Sequence, residues 1–516
     1  MSWQKEVDEI ARRKALAEQM GGPESVARHH QSGKLTARER IDHLVDKGSF
    51  REYGRLTGRA VYNDQNELVD FTPANVVIGS ARLNGRRAVI SAEDFTVRGG
   101  SSEAARSEKW IWAETLALEM NQPLVRLVDT AGGSVKLLDS MGATKLPGYA
   151  SWRFTDLLGA VPVVGVALGS VAGLGAFRVV AAHFSVMVRE TSQVFAAGPP
   201  LVTPATGERL SKEELGGYRI HARGSGVVDN EAADEEDAFR QVRRFLSYLP
   251  SSVHQTPPRQ VNDDDPQRRE EELLSIIPRN RKKTYDGRRL AELIFDKGSV
   301  FERGKYQGRS VIALLARLNG FPVGAMVSDT RFFGGGMDHT AAEKTIRFVD
   351  MCDTFHLPIV NLFDQPGVVI GQAAEKAGTI RIAARALQAI AQSRVPWAAV
   401  ILRKAFGVAG SGYGRQQDLN LRYAWPSAQW GSLPIEGGIE AAYKRELSAA
   451  EDPEAFKKKL DEHYESLQSP FRTAERFGIT DIIDPRETRP ILCDWVEQAY
   501  DILPQQVGPK LRTMRV

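Results

Sequence analysis

The pentapeptide ARLNG occupies residues 81–85 and recurs unchanged at residues 316–320, 235 positions further along the chain. Other matching words keep the same order in both halves. They pair residues 44–50 with 294–300, 99–100 with 334–335, 123–129 with 358–364, and Gly173 with Gly407. An ordered series of matches at nearly constant spacing indicates that the chain contains two copies of one domain.

The spacing also predicts an insertion and a linker. Residues 44–50 and 294–300 lie 250 positions apart, so the first half has 15 extra residues before the pentapeptide. We expect these near the polar residues 62–67, in a loop or hairpin. Residues 251–272 contain three prolines and a run of acids without apolar periodicity, which is typical of a linker. The predicted domains are therefore 1–250 and 273–516.

The composition is that of an ordinary globular protein, with 42% hydrophobic and 26% charged residues in 516. The net charge of +3 is spread along the chain, which argues against a nucleic-acid surface. Only Cys352 and Cys493 are present, and the histidines lack metal spacing, so we expect no metal site. The N-terminal residues lack the apolar stretch of a secretory signal, which predicts a cytoplasmic protein.

The uncharged residues 157–177 are long enough to span a membrane, but they contain five glycines and a proline. Their equivalents in the second half include Arg403 and Lys404, at a depth where a charge would be costly. We therefore expect a buried strand and a turn, and no membrane partner. Short apolar runs alternate with helical patterns at residues 105–120 and 341–356, which predicts an α/β fold with mostly parallel strands.

In each half an apolar strand leads into a glycine-rich turn. The turns read LGSVAGLGA at residues 168–176 and RKAFGVAGSG at residues 403–412. Glycine permits backbone conformations that other residues avoid, and the N–H groups at the start of a following helix point outward together. We therefore expect two sites for a negatively charged oxygen, one in each half. The alternative is that these glycines only allow tight packing.

Searches for other catalytic motifs are negative. The chain has no G-x-x-x-x-G-K-[ST] motif, and Arg178 stands where the third glycine of a dinucleotide fingerprint belongs. Ser411 lacks the flanking glycines of a nucleophile elbow. His183 is interpreted as a structural histidine. Asp129 and Asp364 end equivalent strands, where they are candidate active-site acids or, as we favour, helix caps.

Several longer segments occur in a recognisable order. They are GKLTARERI at 33–41, ELGG at 214–217, DQPG at 364–367, RKAFG at 403–407 and AWPSAQ at 424–429. In this order they resemble the carboxyltransferase (beta) subunits of propionyl-CoA, acetyl-CoA and methylcrotonyl-CoA carboxylases. The resemblance covers nearly the whole chain, so it is more specific than any single segment.

The resemblance implies two tandem crotonase-like (ClpP/crotonase) domains, with acyl-CoA bound by the N-terminal domain and biotin by the C-terminal domain. It implies a homo-oligomer, a hexamer, with active sites between the N domain of one subunit and the C domain of another. One oxyanion hole would hold the thioester oxygen of an enolate, which attacks CO2 released from carboxybiotin, and the other would polarise the biotin ureido oxygen. Biotin would reside on a biotin carboxylase or biotin carboxyl carrier partner, since no A-M-K-M attachment site is present.

The resemblance also assigns site residues. The catalytic backbone amides fall on Gly173 and Leu174 in the first half, and on Val408 and Ala409 in the second. The acyl-CoA-binding residues are assigned as Gly132, Gly133 and Gly175. The biotin-binding residues are assigned as Gly367, Gly407, Gly410 and Ser411. Leu174 and Val408 stand where the family usually has glycine, but a backbone donor survives any side chain except proline.

Two other functions remain open at this point. A biotin-dependent decarboxylase alpha subunit acting on a malonyl-type CoA would use the same pockets in the reverse direction. A non-catalytic paralogue would keep the fold and the subunit contacts without turnover, as the departures at Leu174 and Val408 suggest. The acyl group of the substrate is not determined by the resemblance.

Overall fold

The computed structural model describes residues 2–144, 146–416 and 420–515. The chain forms two compact units. Unit 1 contains the residues up to Gln255 together with Pro509–Met514, and unit 2 contains Thr256–Gly508. The predicted linker contributes to both, because the Val253 N–H donates to the Ala160 carbonyl in unit 1, while Arg268 pairs with Asp264 in unit 2. The domain limits of 1–250 and 273–516 stay a prediction.

Unit 1 contains a mixed main sheet and a separate two-stranded sheet. Its strands are β1 (Arg51–Tyr53), β2 (Gly58–Tyr62), β3 (Leu68–Pro73), β4 (Val76–Leu83), β5 (Arg86–Glu93), β6 (Leu124–Thr130), β7 (Val163–Ala172), β8 (Phe184–Val188), β9 (Gln193–Phe195) and β10 (Asn230–Ala232). The main sheet has the order β1-β4-β5-β6-β7-β8-β10, with β9 pairing with the end of β7. Strands β4 and β5 are antiparallel, and the pairs from β5 to β10 are parallel.

Helices cover this sheet. They are α1 (Gln4–Glu18), α2 (Pro23–Gln31), α3 (Ala37–Leu44), α4 (Ser107–Glu119), α5 (Lys136–Met141), α6 (Phe154–Leu158), α7 (Leu174–Val180), α8 (Pro199–Thr206), α9 (Lys212–Gly216), α10 (Tyr218–Ile220) and α11 (Glu235–Tyr248). Helix α4 matches the helical pattern predicted for residues 105–120. Every residue of β6 is buried, as expected of a central parallel strand covered on both faces.

Unit 2 repeats the plan. Its strands are β11 (Phe301–Arg303), β12 (Val311–Leu318), β13 (Phe321–Ser328), β14 (Ile359–Gln365), β15 (Trp397–Phe406), β16 (Leu421–Ala424), β17 (Gln429–Gly431) and β18 (Asp481–Ile482). Its helices are α12 (Gly287–Ile294), α13 (His339–Thr354), α14 (Gln372–Lys376), α15 (Thr379–Gln392), α16 (Gly407–Gly410), α17 (Ile435–Ala442), α18 (Lys444–Ala449), α19 (Pro453–Leu467), α20 (Pro470–Ala474) and α21 (Thr488–Ile502). The sheet order is β11-β12-β13-β14-β15-β16-β18, with β17 on β15.

The matching strand orders confirm the duplication and the α/β fold class. The repeated pentapeptide forms the same hairpin turn in each unit, because Asn84 and Asn319 both adopt a positive φ before a glycine. Asp46 accepts hydrogen bonds from the first turn's amides, and Asp296 does the same in the second. The repeated sequence segments therefore form the same turn in each unit, and in each unit one aspartate accepts hydrogen bonds from the amides of that turn.

The insertion predicted near residues 62–67 is a hairpin. Strands β2 and β3 pair with each other as a separate two-stranded sheet, and the loop between them is closed by the Asn63 N–H donating to the Glu67 carbonyl. Residues 157–177 form the end of α6, strand β7 and the start of α7, rather than one long helix. Among the described residues, no helix is both long and apolar enough to cross a membrane.

Candidate active site

The two turn glycines have nearly the same φ angle. Gly173 follows β7 with φ 59°, and Gly407 follows β15 with φ 63°. Residues other than glycine rarely adopt a positive φ, so the turn favours glycine at both positions. Each turn glycine and the residue after it are exposed, and the next two residues are buried. The sequence predicted this strand–turn–helix device in both halves, and the structure contains it in both.

The main-chain N–H groups of the first turn differ in their hydrogen bonding. The Gly173 N–H donates to the Phe195 carbonyl on β9 at 3.1 Å, so it is engaged within the sheet. The N–H groups of Leu174 and Gly175 begin α7, where the first N–H groups have no acceptor within the helix. The available pair is therefore displaced by one residue from the Gly173 and Leu174 pair that the resemblance assigns.

The second turn follows the same plan. The parallel pairing of Phe406 with Gly431 places the Gly407 N–H in the sheet beside β17. The N–H groups of Val408 and Ala409 follow in the short helix α16, where the first N–H groups have no acceptor within the helix. The Val408 side chain is 67% exposed, and its counterpart Leu174 is 36% exposed. Both side chains therefore point away from the core, whereas the residues that follow them, Gly175 and Ala409, are buried.

The segments that follow β6 and β14 lie beside the ends of β7 and β15, directly before the two glycine turns. A side-chain carbon at Gly132 would lie 3.1 Å from the Ala172 carbonyl oxygen, directly before the first turn. A side-chain carbon at Gly367 would lie 3.7 Å from the Phe406 carbonyl oxygen, directly before the second. Gly133 faces open space. The structure therefore brings Gly132 next to the first turn and Gly367 next to the second.

Two of the predicted glycines are explained by packing. A side-chain carbon at Gly175 would lie 2.3 Å from Thr130 Cγ2, and one at Gly410 would lie 2.7 Å from the Ala405 carbonyl carbon. Both are buried. Ser411 is half-buried, and its hydroxyl donates to the Val408 carbonyl at 2.6 Å. These contacts hold the helical segments against the strands, and a ligand contact by these residues stays a prediction.

The strand-end aspartates belong to buried ion pairs rather than to helix caps. Asp129 is fully buried and accepts from Lys34 at 3.1 Å and from Arg40 at 3.2 Å. Asp364 is also fully buried and accepts from Arg403 at 2.9 Å and from the Tyr285 hydroxyl at 3.0 Å. Burial raises the pKa of Asp364, although the Arg403 guanidinium opposes this rise. The capping interpretation of these residues was wrong.

His183 holds the start of β7. Its ring accepts a hydrogen bond from the Val163 N–H at Nδ1, and Nε2 faces the Leu158 carbonyl at 2.9 Å. Because Nδ1 is an acceptor, the hydrogen lies on Nε2 and donates to that carbonyl. The structural interpretation of this histidine is confirmed. Among the described residues, no group of three or more histidine, cysteine or acidic side chains is arranged to hold a metal ion.

A cavity of about 810 Å³ lies in unit 1 at the carboxyl ends of β5 and β7. Its polar lining is basic, and in the described part of the chain no acidic side chain lines it. The basic residues are Arg28, His29, Lys34, Arg98 and Lys212. Burial and the nearby Lys34 ammonium lower the pKa of His29 to about 4, so this imidazole is neutral near pH 7. The positive charge of the lining therefore comes from the other four side chains, of which Lys34 is paired with the buried Asp129 at 3.1 Å.

The cavity adjoins the first glycine turn. Its wall includes Ser170, three residues before Gly173, and the Lys212 ammonium donates to the Ser170 hydroxyl at 3.1 Å. Its wall also includes Gly99, whose carbonyl accepts from the Ala131 N–H, one residue before Gly132. The sequence alone does not predict this cavity, because its lining comes from segments far apart in the chain.

Comparisons with known proteins agree with this geometry. The family description "Carboxyl transferase domain" matches residues 28–501. The propionyl-CoA carboxylase carboxyltransferase subunit of Haloferax mediterranei is 34% identical over 493 residues, 95% of each chain. The methylmalonyl-CoA decarboxylase subunit alpha of Veillonella parvula is 32% identical, over 94% of each chain.

A solved structure of a related protein has the same fold. The transcarboxylase 12S structure, described as a hexamer assembly with methylmalonyl-coenzyme A bound, superposes with a TM-score of 0.88 at 29% identity, covering 100% of this chain and 98% of that one. The two units therefore have the crotonase-like fold that the sequence predicted. The chain belongs to the carboxyl transferase family, and it is a carboxyltransferase of the biotin-dependent acyl-CoA carboxylase type.

Proposed function

We propose that this chain is the carboxyltransferase subunit that moves a carboxyl group from biotin, carried on another chain, to the α carbon of an acyl-CoA thioester. The single observation that supports this assignment best is the duplicated glycine turn, which in each unit is followed by two main-chain amides at the start of a helix, where the first N–H groups have no acceptor within the helix. Acyl-CoA carboxylation requires two oxygens to be polarised, one on the thioester and one on the biotin ureido group. Two turns suit two such oxygens.

In unit 1 the N–H groups of Leu174 and Gly175 hold the thioester oxygen. As the α carbon becomes a nucleophile, negative charge develops on this oxygen, and amides that are already oriented stabilise it without reorganisation. Gly173 acts through its backbone conformation, because its own N–H is bonded to Phe195. Removing one oxyanion donor in such a site costs about 10²–10³-fold in turnover.

In unit 2 the N–H groups of Val408 and Ala409 hold the biotin ureido oxygen. The residues present fit this group, because these amides lie in the first turn of a helix and Gly407 and Val408 are exposed to an incoming ligand. Biotin, when bound, supplies the carboxyl group. The bond from Ser411 to the Val408 carbonyl and the packing of Gly410 on β15 keep this short segment in place.

The basic cavity of unit 1 binds the phosphate groups of coenzyme A. CoA carries several negative charges, and the cavity presents Arg28, Lys34, Arg98 and Lys212 beside the first turn. Arg98 holds a positive φ of 52°, an unusual conformation for a non-glycine residue that is often found at functional sites. The remaining glycines assigned to acyl-CoA, Gly132 and Gly133, would face the thioester end of the substrate.

The partner is a biotin-bearing subunit with its biotin carboxylase, and the assembly is a homo-hexamer in the cytoplasm. The hexamer is supported by the transcarboxylase 12S relative, whose structure is described as a hexamer assembly. Propionyl-CoA is the first acyl group to test, because the relatives include propionyl-CoA carboxylase subunits. The acyl-CoA side and the biotin side correspond to units 1 and 2 respectively.

A second function is decarboxylation of a malonyl-type CoA, since two of the relatives are methylmalonyl-CoA decarboxylase alpha subunits. The two directions are separated by assaying the chain with a purified biotinylated partner and a panel of acyl-CoA thioesters. ATP-dependent carboxylation supports our proposal, and ATP-independent decarboxylation supports the second function. A complex that assembles with the biotin-bearing subunit yet turns over neither class of substrate would instead identify a non-catalytic paralogue.

A further inference from the structure

A buried arginine holds the end of helix α7. Arg126 lies on β6 and is fully buried. Its Nη1 donates to the Arg178 carbonyl at 2.9 Å and to the Ala181 carbonyl at 2.8 Å. The last carbonyls of a helix have no partner within the helix. Arg126 therefore supplies donors to the C-terminal end of the helix whose first residues are Leu174 and Gly175.

The same contact exists in unit 2 with a different side chain. Asn361 lies on β14 and is buried, and its amide donates to the Gly412 carbonyl at 3.3 Å and to the Tyr413 carbonyl at 2.9 Å. Arg126 and Asn361 are each the third residue of their strand, 235 positions apart. Arg178 and Gly412 likewise each follow their turn glycine by five residues. The two units thus share a hydrogen bond from the third residue of the strand to the segment after the glycine turn, although the donor is arginine in one unit and asparagine in the other.

In unit 1 this contact is part of a buried charged cluster. The Arg126 Nε donates to Glu114 at 2.8 Å, and Glu114 also accepts from the Trp152 indole at 2.6 Å. Arg178, which belongs to α7, pairs with Glu93 at the end of β5. Burying such ions costs several kcal/mol each before pairing. Because Asn361 makes the equivalent bond without a charge, stability alone does not require an ion at this position.

We infer that Arg126 and Asn361 are positioning residues, each orienting the amides of the adjacent turn by holding the far end of the segment that carries them. The inference rests on the proposed function. Oxyanion donors must be held within about 0.5 Å of their productive positions. Arg126 therefore acts on the thioester oxygen through Leu174, and Asn361 acts on the biotin oxygen through Val408.

The test uses the complete complex with propionyl-CoA labelled with 13C at the thioester carbon. Infrared difference spectra measure the carbonyl stretch, which moves to lower frequency when amides polarise the bond. In the wild-type complex we expect a shift on binding. Arg126→Lys should lose at least half of this shift and at least about tenfold in kcat, with KM for propionyl-CoA changed less than about threefold. Asn361→Leu should keep the full shift while lowering kcat.

If Arg126→Lys fails to fold, a matched pair of double variants provides the test. The two members are Arg126→Gln/Glu114→Gln and Arg126→Met/Glu114→Gln. Both remove the buried cation together with its carboxylate partner, but only the Arg126→Gln member retains a donor for the α7 carbonyls. We expect a larger carbonyl shift in that member than in the Arg126→Met member, at equal melting temperature. Equal shifts in the pair, or a full shift and full kcat in Arg126→Lys, would overturn the positioning role. A wild-type complex without any shift would instead contradict the proposed function itself.

Discussion

Single residues decide which amides a ligand meets. Gly173 and Gly407 adopt nearly the same positive φ, and the Gly173 N–H is bonded to Phe195, which leaves the N–H groups of the next residues for a ligand. The sequence predicts both turn glycines, because glycine adopts a positive φ more readily than other residues do. It does not predict which amides remain free, since the acceptor on β9 lies more than 20 residues further along the chain.

The cavity cations should affect substrate binding more than chemistry. Lys212→Met removes a charge but keeps most of the side-chain volume, and Arg28→Met does the same on α2. We expect each to raise KM for acyl-CoA about five- to tenfold, because one charge-assisted contact to a phosphate is lost, with kcat changed less than about twofold. Steady-state kinetics measure both. Arg240→Ala, an exposed arginine outside the cavity, serves as the control and should leave both parameters unchanged.

His29 should make unit 1 sensitive to acid. Its pKa of about 4 in the folded protein lies below the usual 6.5, so the folded state disfavours its protonation. Stability from this group is fully present above pH 6.5 and is lost as the pH falls from 6.5 to 4. Urea unfolding of wild type and His29→Gln at pH 7 and pH 4.5 should show a smaller acid loss in the variant, by on the order of 1 kcal/mol. Equal losses would contradict this assignment.

Packing between elements places helix α7. Gly175 sits against Thr130 on β6, where a methyl group would lie 2.3 Å from Thr130 Cγ2. Gly175→Ala should therefore displace α7, lowering stability by about 1–3 kcal/mol and lowering kcat. Thermal unfolding and turnover measure the two effects, and Gly133→Ala, where the space is open, is the control for stability.

The clash offers a specific rescue. Thr130→Ser removes Cγ2 but keeps the hydroxyl that donates to the Gly100 carbonyl at 2.6 Å. The double variant Gly175→Ala/Thr130→Ser should regain most of the lost stability and turnover. If the serine restores neither, the contact between α7 and β6 is not what positions the turn.

The elements could be predicted to different degrees. Strand β7 and helix α4 follow from apolar periodicity, which is local in sequence. The contact of Arg126 with the end of α7 could not be predicted, because it depends on which strand lies beneath the helix. The lining of the basic cavity was missed for the same reason, since it joins α2, the loop after β5 and α9.

The whole molecule is two copies of one fold. The sequence predicts this duplication, because the matching words keep their order and spacing over both halves. We expect the purified chain of 57.0 kDa to sediment as a hexamer, in keeping with the relative of the same fold. Sedimentation velocity measures the assembly, and a species of one or two chains at micromolar concentration would contradict the proposed oligomer.

The central claim is that main-chain amides at the first turn stabilise the thioester oxygen, and turnover of Leu174→Pro tests it most directly. Proline is tolerated at the first position of a helix but has no N–H to donate, whereas Leu174→Ala keeps the amide and removes only the side chain. We predict that Leu174→Pro lowers kcat by about 10²-fold or more in a normally assembled complex, while Leu174→Ala stays within about threefold of wild type. A Leu174→Pro enzyme that turns over as fast as Leu174→Ala would contradict the account.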